Sequence, residues 1–351
     1  MIIIQANSIH ESGGKSLLLS VLKSLDNLQN DQQVVVFLDQ RFDRNALAGL
    51  LGNARISIKS VIPSVFSRLS SEIAIWRLTS KNRNATLLCF GNLPPLLPCD
   101  ARVIVYFHTV LYFRKFGKYV SGFRSKAKRF VESAWIRSRL GTVDHVYVQS
   151  SFVKECLCRE FGMGDKSVTV LPFVDLKNLK SGPSQARNPS ESRFFYPALG
   201  TPHKNHKLLV DAWILLARQN IFPLLVLTID ARFESLLAYL EKARLESNLR
   251  IVNLGLISHE EVLNQLMLSQ AMIFPSLSES FGLPLLEARE NDVPVISGEL
   301  DYVRDILNPV ETFDPESALS ISRAIKRFLK IRGNPIEVST PDSFVDLIAG
   351  S

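Results

Sequence analysis

Short runs of apolar residues alternate with longer stretches of helical periodicity along the whole chain. In the first half, the runs are almost continuously apolar, which is typical of strands covered on both faces of a parallel sheet. Between the first two runs, leucine and valine recur at helical spacing and predict a helix from Gly13 to about Leu25. The predicted strands are residues 2–7, 34–38, 56–62, 87–90, 103–108, 145–149 and 168–172.

One polar stretch rich in Ser, Pro and Gly, between Val174 and Ser192, interrupts this alternation and predicts a linker. Beyond it the pattern resumes, with strands at 194–197, 224–229, 249–254, 271–275 and 293–297, and helices over 205–217, 234–243, 260–269, 283–290 and about 316–330. Two such series predict an α/β protein of two doubly wound, Rossmann-like parallel-sheet domains that face each other across a cleft.

These boundaries divide the chain into four parts. We expect a first domain over residues 1–175, a linker over 176–192 and a second domain over 193–330. A tail over residues 331–351 remains, for which packing back on the first domain is one option.

Composition narrows the class without choosing a function. The chain has 351 residues, 46% hydrophobic and 21% charged, which excludes a disordered or collagen-like chain. Its 41 Lys and Arg against 34 Asp and Glu give a net charge of +7, which favours an anionic partner such as phosphate, nucleic acid or a membrane surface. The four cysteines are too few for a disulfide scaffold, and no apolar run is long enough to span a membrane. The start of the chain predicts a strand rather than a signal peptide, so we expect a cytoplasmic protein.

The motif PSLSESFGLPLLE, residues 275–287, follows a predicted strand and opens a predicted helix. Pro284 suits the first turn of a helix, and Gly282 gives the turn before it flexibility. The free backbone N–H groups of such a helix start form an anion site. Glu279 on the turn and Glu287 one turn inside the helix could accept hydrogen bonds from sugar hydroxyls. Spacing alone leaves open that both carboxylates merely cap and solvate the helix start.

A second motif, PHKNH, places Lys204 at a helix start after the first strand of the second half. A Lys there could neutralise a diphosphate across the cleft, although a single Lys at a helix start is more often only solvated. His203 and His206 are three residues apart, but no Cys or carboxylate stands beside them, which disfavours a metal site.

The first half offers two further candidates. Gly13 and Gly14 lie between the first strand and the first helix, where paired glycines let the backbone approach a phosphate closely. A nucleotide P-loop is excluded there because that pattern needs glycine where the chain has Ile9. His108 ends a predicted strand and is expected to face the cleft, although a single His is more often structural.

The stretch from Arg114 to Arg129 carries seven cations and no acid, and its apolar residues recur every three or four positions. It predicts a basic amphipathic helix, with Gly117 and Gly122 as places where it could break. Such a helix suits an anionic membrane surface, and packing of its apolar side into the core is equally open. No nucleic-acid-binding motif accompanies these charges, so no nucleic-acid partner is expected.

Taken together, these residues resemble the family 4 retaining glycosyltransferases of the GT-B fold, the glycosyl transferases group 1. The resemblance covers most of residues 194–329 and is most specific in the pair of Glu279 and Glu287, with seven residues between them. Weaker matches are PHKNH at 202–206, NLGL at 253–256 and DYVRDI at 301–306; the first half matches only through Gly13 and Gly14, FGNLPP at 90–95, and His108.

The resemblance implies transfer of a sugar from a nucleotide-diphosphate sugar to a saccharide or lipid-linked saccharide, with retained anomeric configuration. Synthesis of a surface polysaccharide such as O-antigen, capsule or exopolysaccharide is the implied setting, at the inner face of the membrane. The implied catalytic residues are Glu279, which reaches the donor sugar, His108, which lies near it from the opposite domain, and Lys204. The implied donor-binding residues are Gly13, Gly14 and Lys204 at the diphosphate, Ser280, Phe281, Gly282 and Leu283 at sugar and phosphate, and Glu287 at the ribose.

No Asp-x-Asp motif is present, so we expect neither a metal nor another cofactor. Two positions depart from the family pattern: Leu199 stands where an Arg is frequent, and Ser280 where Gly is common. The departure at Leu199 removes one cation for the diphosphate. Because of this departure, a non-catalytic subunit that binds a sugar nucleotide remains an alternative function. A sugar-nucleotide epimerase of the same fold is a further alternative.

Overall fold

The computed structural model describes residues 1–10, 12–27, 32–43, 45–47, 55–119, 122–174, 179 and 192–331. The predicted linker and tail lie outside the described residues except for Leu179, Ser192 and Ile331. Their limits, and the packing of the tail, therefore stay predictions.

Seven strands form a parallel sheet in the first domain. They are β1 (Ile2–Ala6), β2 (Val34–Asp39), β3 (Ile56–Val61), β4 (Thr86–Cys89), β5 (Arg102–Phe107), β6 (His145–Val148) and β7 (Val168–Val170). The helices are α1 (Ser12–Asp26), α2 (Val65–Lys81), α3 (Phe123–Arg139) and α4 (Ser151–Phe161). The strand order is β3-β2-β1-β4-β5-β6-β7, so the order reverses between β1 and β4.

A second parallel sheet has six strands. They are β8 (Arg193–Tyr196), β9 (Leu224–Leu227), β10 (Ile251–Asn253), β11 (Ala271–Phe274), β12 (Val295–Gly298) and β13 (Glu311–Phe313). The helices are α5 (His206–Ala217), α6 (Glu234–Glu246), α7 (His259–Met267), α8 (Leu283–Glu290), α9 (Asp301–Arg304) and α10 (Ala318–Phe328). The order β10-β9-β8-β11-β12-β13 reverses between β8 and β11. Both sheets are parallel throughout these pairings, which confirms the predicted fold class.

Ligands of open parallel sheets bind beyond the carboxyl ends of the strands where the order reverses. Glycines 13 and 14 follow β1 and His108 follows β5, next to β4. On the other side, Lys204 follows β8 and Glu279 follows β11, the two strands of the second reversal. Topology alone therefore directs the predicted site residues toward the two positions where a ligand is expected.

Helix α2 was not anticipated from the sequence, and its burial explains why. Its buried side carries Ser71, Glu72 and Thr79 alongside Ile75, so polar residues interrupt the usual apolar inward stripe. The Glu72 carboxyl accepts hydrogen bonds from the Gln5 side-chain amide and from the Leu96 backbone N–H. Burial raises the pKa of Glu72. The outward side of α2 carries large apolar residues instead.

The basic stretch from Arg114 to Arg129 is two elements, not the single predicted helix. A 3-10 helix spans Arg114–Tyr119, and α3 begins after Gly122, whose φ of 81° lies in the left-handed region that glycine tolerates. Of the two predicted break positions, Gly117 lies within the 3-10 helix and Gly122 is the residue before α3. Phe116 before the break is buried, whereas Phe123 after it is exposed. No helix of the described residues is long and apolar enough to cross a membrane.

Candidate functional site

The chain turns sharply between β11 and α8. Gly282 precedes the helix with φ 80° and ψ 57°, a left-handed conformation that favours glycine. Pro284 then lies in the first turn of α8, where its missing N–H costs no intrahelical hydrogen bond. The N–H groups of this first turn have no acceptor within the helix, and such groups attract anions. Phe281 anchors the turn by packing against the core of the second domain.

Lys204 and Glu279, 75 residues apart, form an ion pair at this turn. The Lys204 ammonium donates to Oε1 of Glu279, and the Ser276 hydroxyl donates to the same oxygen over 2.6 Å. Both side chains are largely buried, with 17% of the lysine and 13% of the glutamate side chain exposed. An ion pair with so little water around it interacts more strongly than one on an open surface. The sequence named both residues, but it did not predict that they pair.

Backbone and side-chain hydrogen bonds connect the Lys204 turn to the β11–α8 turn. The Leu277 N–H donates to the His203 carbonyl over 2.8 Å. The Asn205 side-chain amide, from a residue with φ 62°, donates to the carbonyls of Pro275 and Pro315 over 3.2 and 2.7 Å. The two turns therefore form one connected unit, in which Lys204 keeps a defined position relative to Glu279.

Glu287 lies one turn inside α8, as the spacing predicts, and its side chain is buried. The imidazole Nε2 of His259, in the first turn of α7, lies 3.0 Å from Oε1 of Glu287. The hydrogen bond to that carboxylate raises the pKa of His259. His259 was missed from the sequence, because 28 residues separate it from Glu287 and no motif contains it.

In the first domain, Gly13, Gly14 and His108 lie close to the start of α8. A Cβ on Gly13 would lie 3.2 Å from the Leu283 side chain, and a Cβ on Gly14 would lie 3.4 Å from His108 Cε1. The first turn of α1 thus lies against the start of α8 from the opposite domain. Two helix N-termini face one region from opposite sides, and both attract an anion there.

His108 is held by its own domain. Its ring Nε2 lies 2.8 Å from the Phe90 carbonyl oxygen, and its backbone N–H donates to Asn92 Oδ1 over 2.6 Å. Burial lowers the pKa of His108, so the ring is neutral at pH 7. A carbonyl only accepts, so the ring proton lies on Nε2 and the Nδ1 lone pair is the ring's acceptor.

The two other histidines near Lys204 are neutral as well. Burial lowers the pKa of His203 to about 4, with the Glu279 carboxylate opposing this and the charges of Lys204 and Arg129 adding to it. Burial lowers the pKa of His206 to about 3. Within the part of the chain that the structure describes, no three His, Cys, Asp or Glu side chains are grouped to hold a metal ion.

The chain is similar to known proteins in part of its sequence and in its fold. The family Glycosyl transferases group 1 matches residues 180–339. No curated protein matches the chain significantly.

Solved structures match nearly the whole chain. HepE of Anabaena, in complex with UDP and glucose, is 15% identical with a TM-score of 0.66, over 94% of this chain and 89% of that one. A glycosyltransferase of Rickettsia africae ESF-5 is 16% identical with a TM-score of 0.68, over 95% and 89%. The lipopolysaccharide outer core galactosyltransferase WaaB is 18% identical with a TM-score of 0.62, over 94% and 91%.

At such identities the likeness establishes the fold, which is GT-B. The family match lies in the half of the chain that contains Lys204, Glu279 and Glu287. Residues 180–339 thus match the glycosyl transferases group 1, within a chain that has the GT-B fold.

Proposed function

We propose that the chain transfers a sugar from a nucleotide-diphosphate sugar to a hydroxyl of a saccharide or lipid-linked saccharide, with retained anomeric configuration. The observation that carries this proposal is the Lys204–Glu279 pair at the turn before α8, the helix whose start lies against the start of α1 from the first domain. It supplies one cation for a diphosphate and one carboxylate for sugar hydroxyls at adjacent positions. The complexes of HepE with UDP, glucose and UDP-glucose add support for this class of donor.

In the proposed complex, the diphosphate takes the Lys204 ammonium away from Glu279. The released carboxylate then accepts hydrogen bonds from the donor sugar, while Glu287 accepts them from the ribose hydroxyls. The amides of Phe281, Gly282 and Leu283 and the α1 start at Gly13 and Gly14 surround the phosphates. His108 offers its Nδ1 lone pair to a sugar hydroxyl from the first domain.

The reaction breaks the bond between the anomeric carbon and the phosphate oxygen. Negative charge develops on the leaving diphosphate, where Lys204 and the preorganised amides stabilise it. The acceptor oxygen forms the new bond on the same face, and its proton passes to the departing phosphate oxygen. These cationic and dipolar groups supply the stabilisation without a metal or other cofactor, which is part of the proposal. Because Leu199 stands where many relatives have an Arg, the diphosphate has one cation fewer. The N–H groups of the two helix starts therefore supply a larger share of its charge stabilisation.

The test begins with a thermal-shift screen against UDP, GDP, ADP, dTDP and their common sugar conjugates, since a ligand that binds only the folded state raises its melting point. The donor found there is used for transfer assays with Lys204→Ala and Glu279→Ala. We expect each variant to lose about a hundredfold or more of kcat/KM, because each removes a group that stabilises the transition state. Lys207→Ala and Glu290→Ala, at positions outside the pair, are the matched controls.

Proton NMR of the product gives the anomeric configuration, and inversion would refute the retaining proposal. Conversion of the donor with no acceptor present would favour an epimerase. Binding of a nucleotide sugar with neither transfer nor hydrolysis would favour a non-catalytic subunit. Wild-type turnover in either the Lys204 or the Glu279 variant would remove that residue from the mechanism. Membership in surface-polysaccharide synthesis stays a proposal, supported by the likeness to WaaB.

A further inference from the structure

Helix α2 exposes an unusual amount of apolar surface for a helix of a parallel-sheet protein. Its inward side holds the polar residues Ser71, Glu72 and Thr79. Phe66 is 84% exposed and Trp76 42%, and Leu69 and Ile73 between them are exposed as well. These four residues recur at helical spacing and share one side of α2.

Helix α3 lies beside α2 and is exposed in the same manner. The Arg68 guanidinium of α2 lies 3.6 Å from the Glu132 carboxylate and 5.3 Å from the centre of the Trp135 ring, both on α3. Phe123 and Phe130, two turns apart on α3, are 87% and 78% exposed. We name the surface formed by Phe66, Leu69, Ile73, Trp76, Phe123 and Phe130 the α2–α3 face.

Large apolar side chains exposed on two neighbouring helices mark a site of interaction. Exposed cations on α3, Arg124, Lys126 and Lys128, flank its apolar side chains. Glu132 is the single acid of α3, and it is buried between Arg68 and Lys128. A second copy of this positively charged face would be repelled, whereas anionic headgroups would be attracted. Apolar side chains bordered by Lys and Arg are the composition of an interfacial helix.

Helix α3 also approaches the second domain. Arg129 follows the exposed cations on α3, and its guanidinium lies 4.9 Å from the centre of the Tyr112 ring. Its charge also reaches His203, beside Lys204 in the second domain. Helix α3 therefore carries both exposed aromatic residues of the α2–α3 face and a cation whose charge acts at the candidate site.

We propose that the α2–α3 face docks on an anionic lipid surface, with the apolar residues of both helices inserted and the α3 cations at the headgroups. The basic stretch predicted from the sequence supplies only the α3 half of this surface; α2 supplies the other half. An acceptor held in the membrane would then meet the cleft from the docked side, a part of the inference that rests on the proposed sugar transfer.

The test uses the full chain and vesicles of phosphatidylcholine, with or without phosphatidylglycerol. We expect co-sedimentation with the anionic vesicles at low salt and much less with phosphatidylcholine alone. The double variant Phe66→Ser, Phe130→Ser should weaken binding about tenfold or more, since each exposed aromatic ring contributes apolar area to insertion. Leu245→Ser, at an exposed position of α6 in the second domain, is the matched control and should bind as the wild type does.

A charge reversal tests the contribution of the α3 cations to vesicle binding. Arg124→Glu with Lys126→Glu should weaken binding about tenfold or more and reduce its salt dependence. Lys23→Glu with Lys242→Glu makes the same change in net charge on α1 and α6 and should have a smaller effect. Trp76 reports insertion directly: its fluorescence should shift to the blue and be quenched by brominated lipid, while the buried Trp213 should not respond.

No sedimentation with anionic vesicles at low salt overturns the proposal, and so does binding that the double serine variant leaves unchanged. A dimer that the serine variant dissociates, seen by light scattering without vesicle binding, would assign the face to a second copy instead. Donor binding measured on the same variants separates the two proposals. If vesicles bind but no nucleotide does, docking stands and the proposed sugar transfer fails.

Discussion

The two domains present different chemistry to the cleft between them. The second domain contributes charge: Lys204 and Glu279 pair there, and Glu287 lies one turn into α8. The first domain contributes close backbone approach, at Gly13 and Gly14, and the neutral ring of His108. A charged ligand would therefore be bound mainly by the second domain, and the first domain would complete the site when its backbone comes near.

The sharpest test of the charged side is Glu287→Ala. A buried carboxylate that accepts hydrogen bonds from ribose is worth about 1.5–3 kcal/mol, so nucleoside-diphosphate binding should weaken about tenfold to a hundredfold. Titration calorimetry with the nucleotide from the screen measures this. Glu290→Ala on the same helix should bind normally, and equal losses in both variants would indicate a general effect on α8.

The backbone approach of the first domain is tested by Gly13→Val. The added side chain would meet Leu283 across the cleft, where even a Cβ lies 3.2 Å from Cδ1. We expect the rate of sugar transfer to fall about tenfold, because the added side chain keeps the two domains apart. This corresponds to a free-energy cost of the size that is usual for overpacking. Leu283→Ala in the same chain should restore activity by making room.

Gly141→Ala, at a glycine with open space around it, should behave as the wild type. If the second change at Leu283 gives no recovery, the loss in Gly13→Val does not come from that contact.

The ion pair of His259 with Glu287 predicts a pH dependence of stability. The hydrogen bond to Glu287 raises the pKa of His259 above the ordinary 6.5. The interaction of protonated His259 with Glu287 therefore stabilises the folded chain fully below about pH 6.5. That contribution is lost as the pH rises through the higher folded-state pKa. The difference in melting temperature between wild type and His259→Gln should therefore shrink from pH 6 to pH 8.

Subtracting the variant cancels the opposite contributions of His203 and His206, whose pKa values are lowered by burial. A difference that stays constant or grows with pH would contradict the assignment to His259.

The smallest effect is expected at a contact between the domains. The Ser151 backbone N–H, in the first turn of α4, donates to the Asp305 carboxylate over 3.1 Å. A carboxylate at a helix N-terminus contributes about 0.3–1 kcal/mol. Asp305→Asn should lower the melting temperature by about 2 °C or less and leave nucleotide affinity unchanged. Asp301→Asn in α9 is the control, and an equal change there would show that α9 itself is affected.

Individual residues show how far prediction from the sequence reached. The turn before α8 was predictable because Gly282, Pro284 and the following apolar positions encode its conformation locally. The pair of Lys204 with Glu279 was not, since β8 and β11 are adjacent only in the folded sheet. Helix α2 escaped prediction because Glu72 is stabilised in the core by Gln5 and Leu96, which no local pattern reveals.

For the stretch from Arg114 to Arg129, the sequence likewise predicted some features and the tertiary structure decided others. Its spacing indicated amphipathic structure and its glycines a break, but local pattern left open which apolar residues would be buried. Phe116 lies in the core and Phe130 faces outward, and the packing of α3 beside α2 decides that difference.

The sequence by itself determined two parallel-sheet domains, because the nearly continuous apolar strands and the helices between them form no other compact arrangement as readily. It also determined the turn of the second domain, where each residue favours the same local conformation. Only the tertiary structure decided which distant side chains meet, namely Lys204 with Glu279 and His259 with Glu287, and which side of α2 faces water. Those outcomes depend on contacts between residues far apart in the chain, and local propensity carries no information about them.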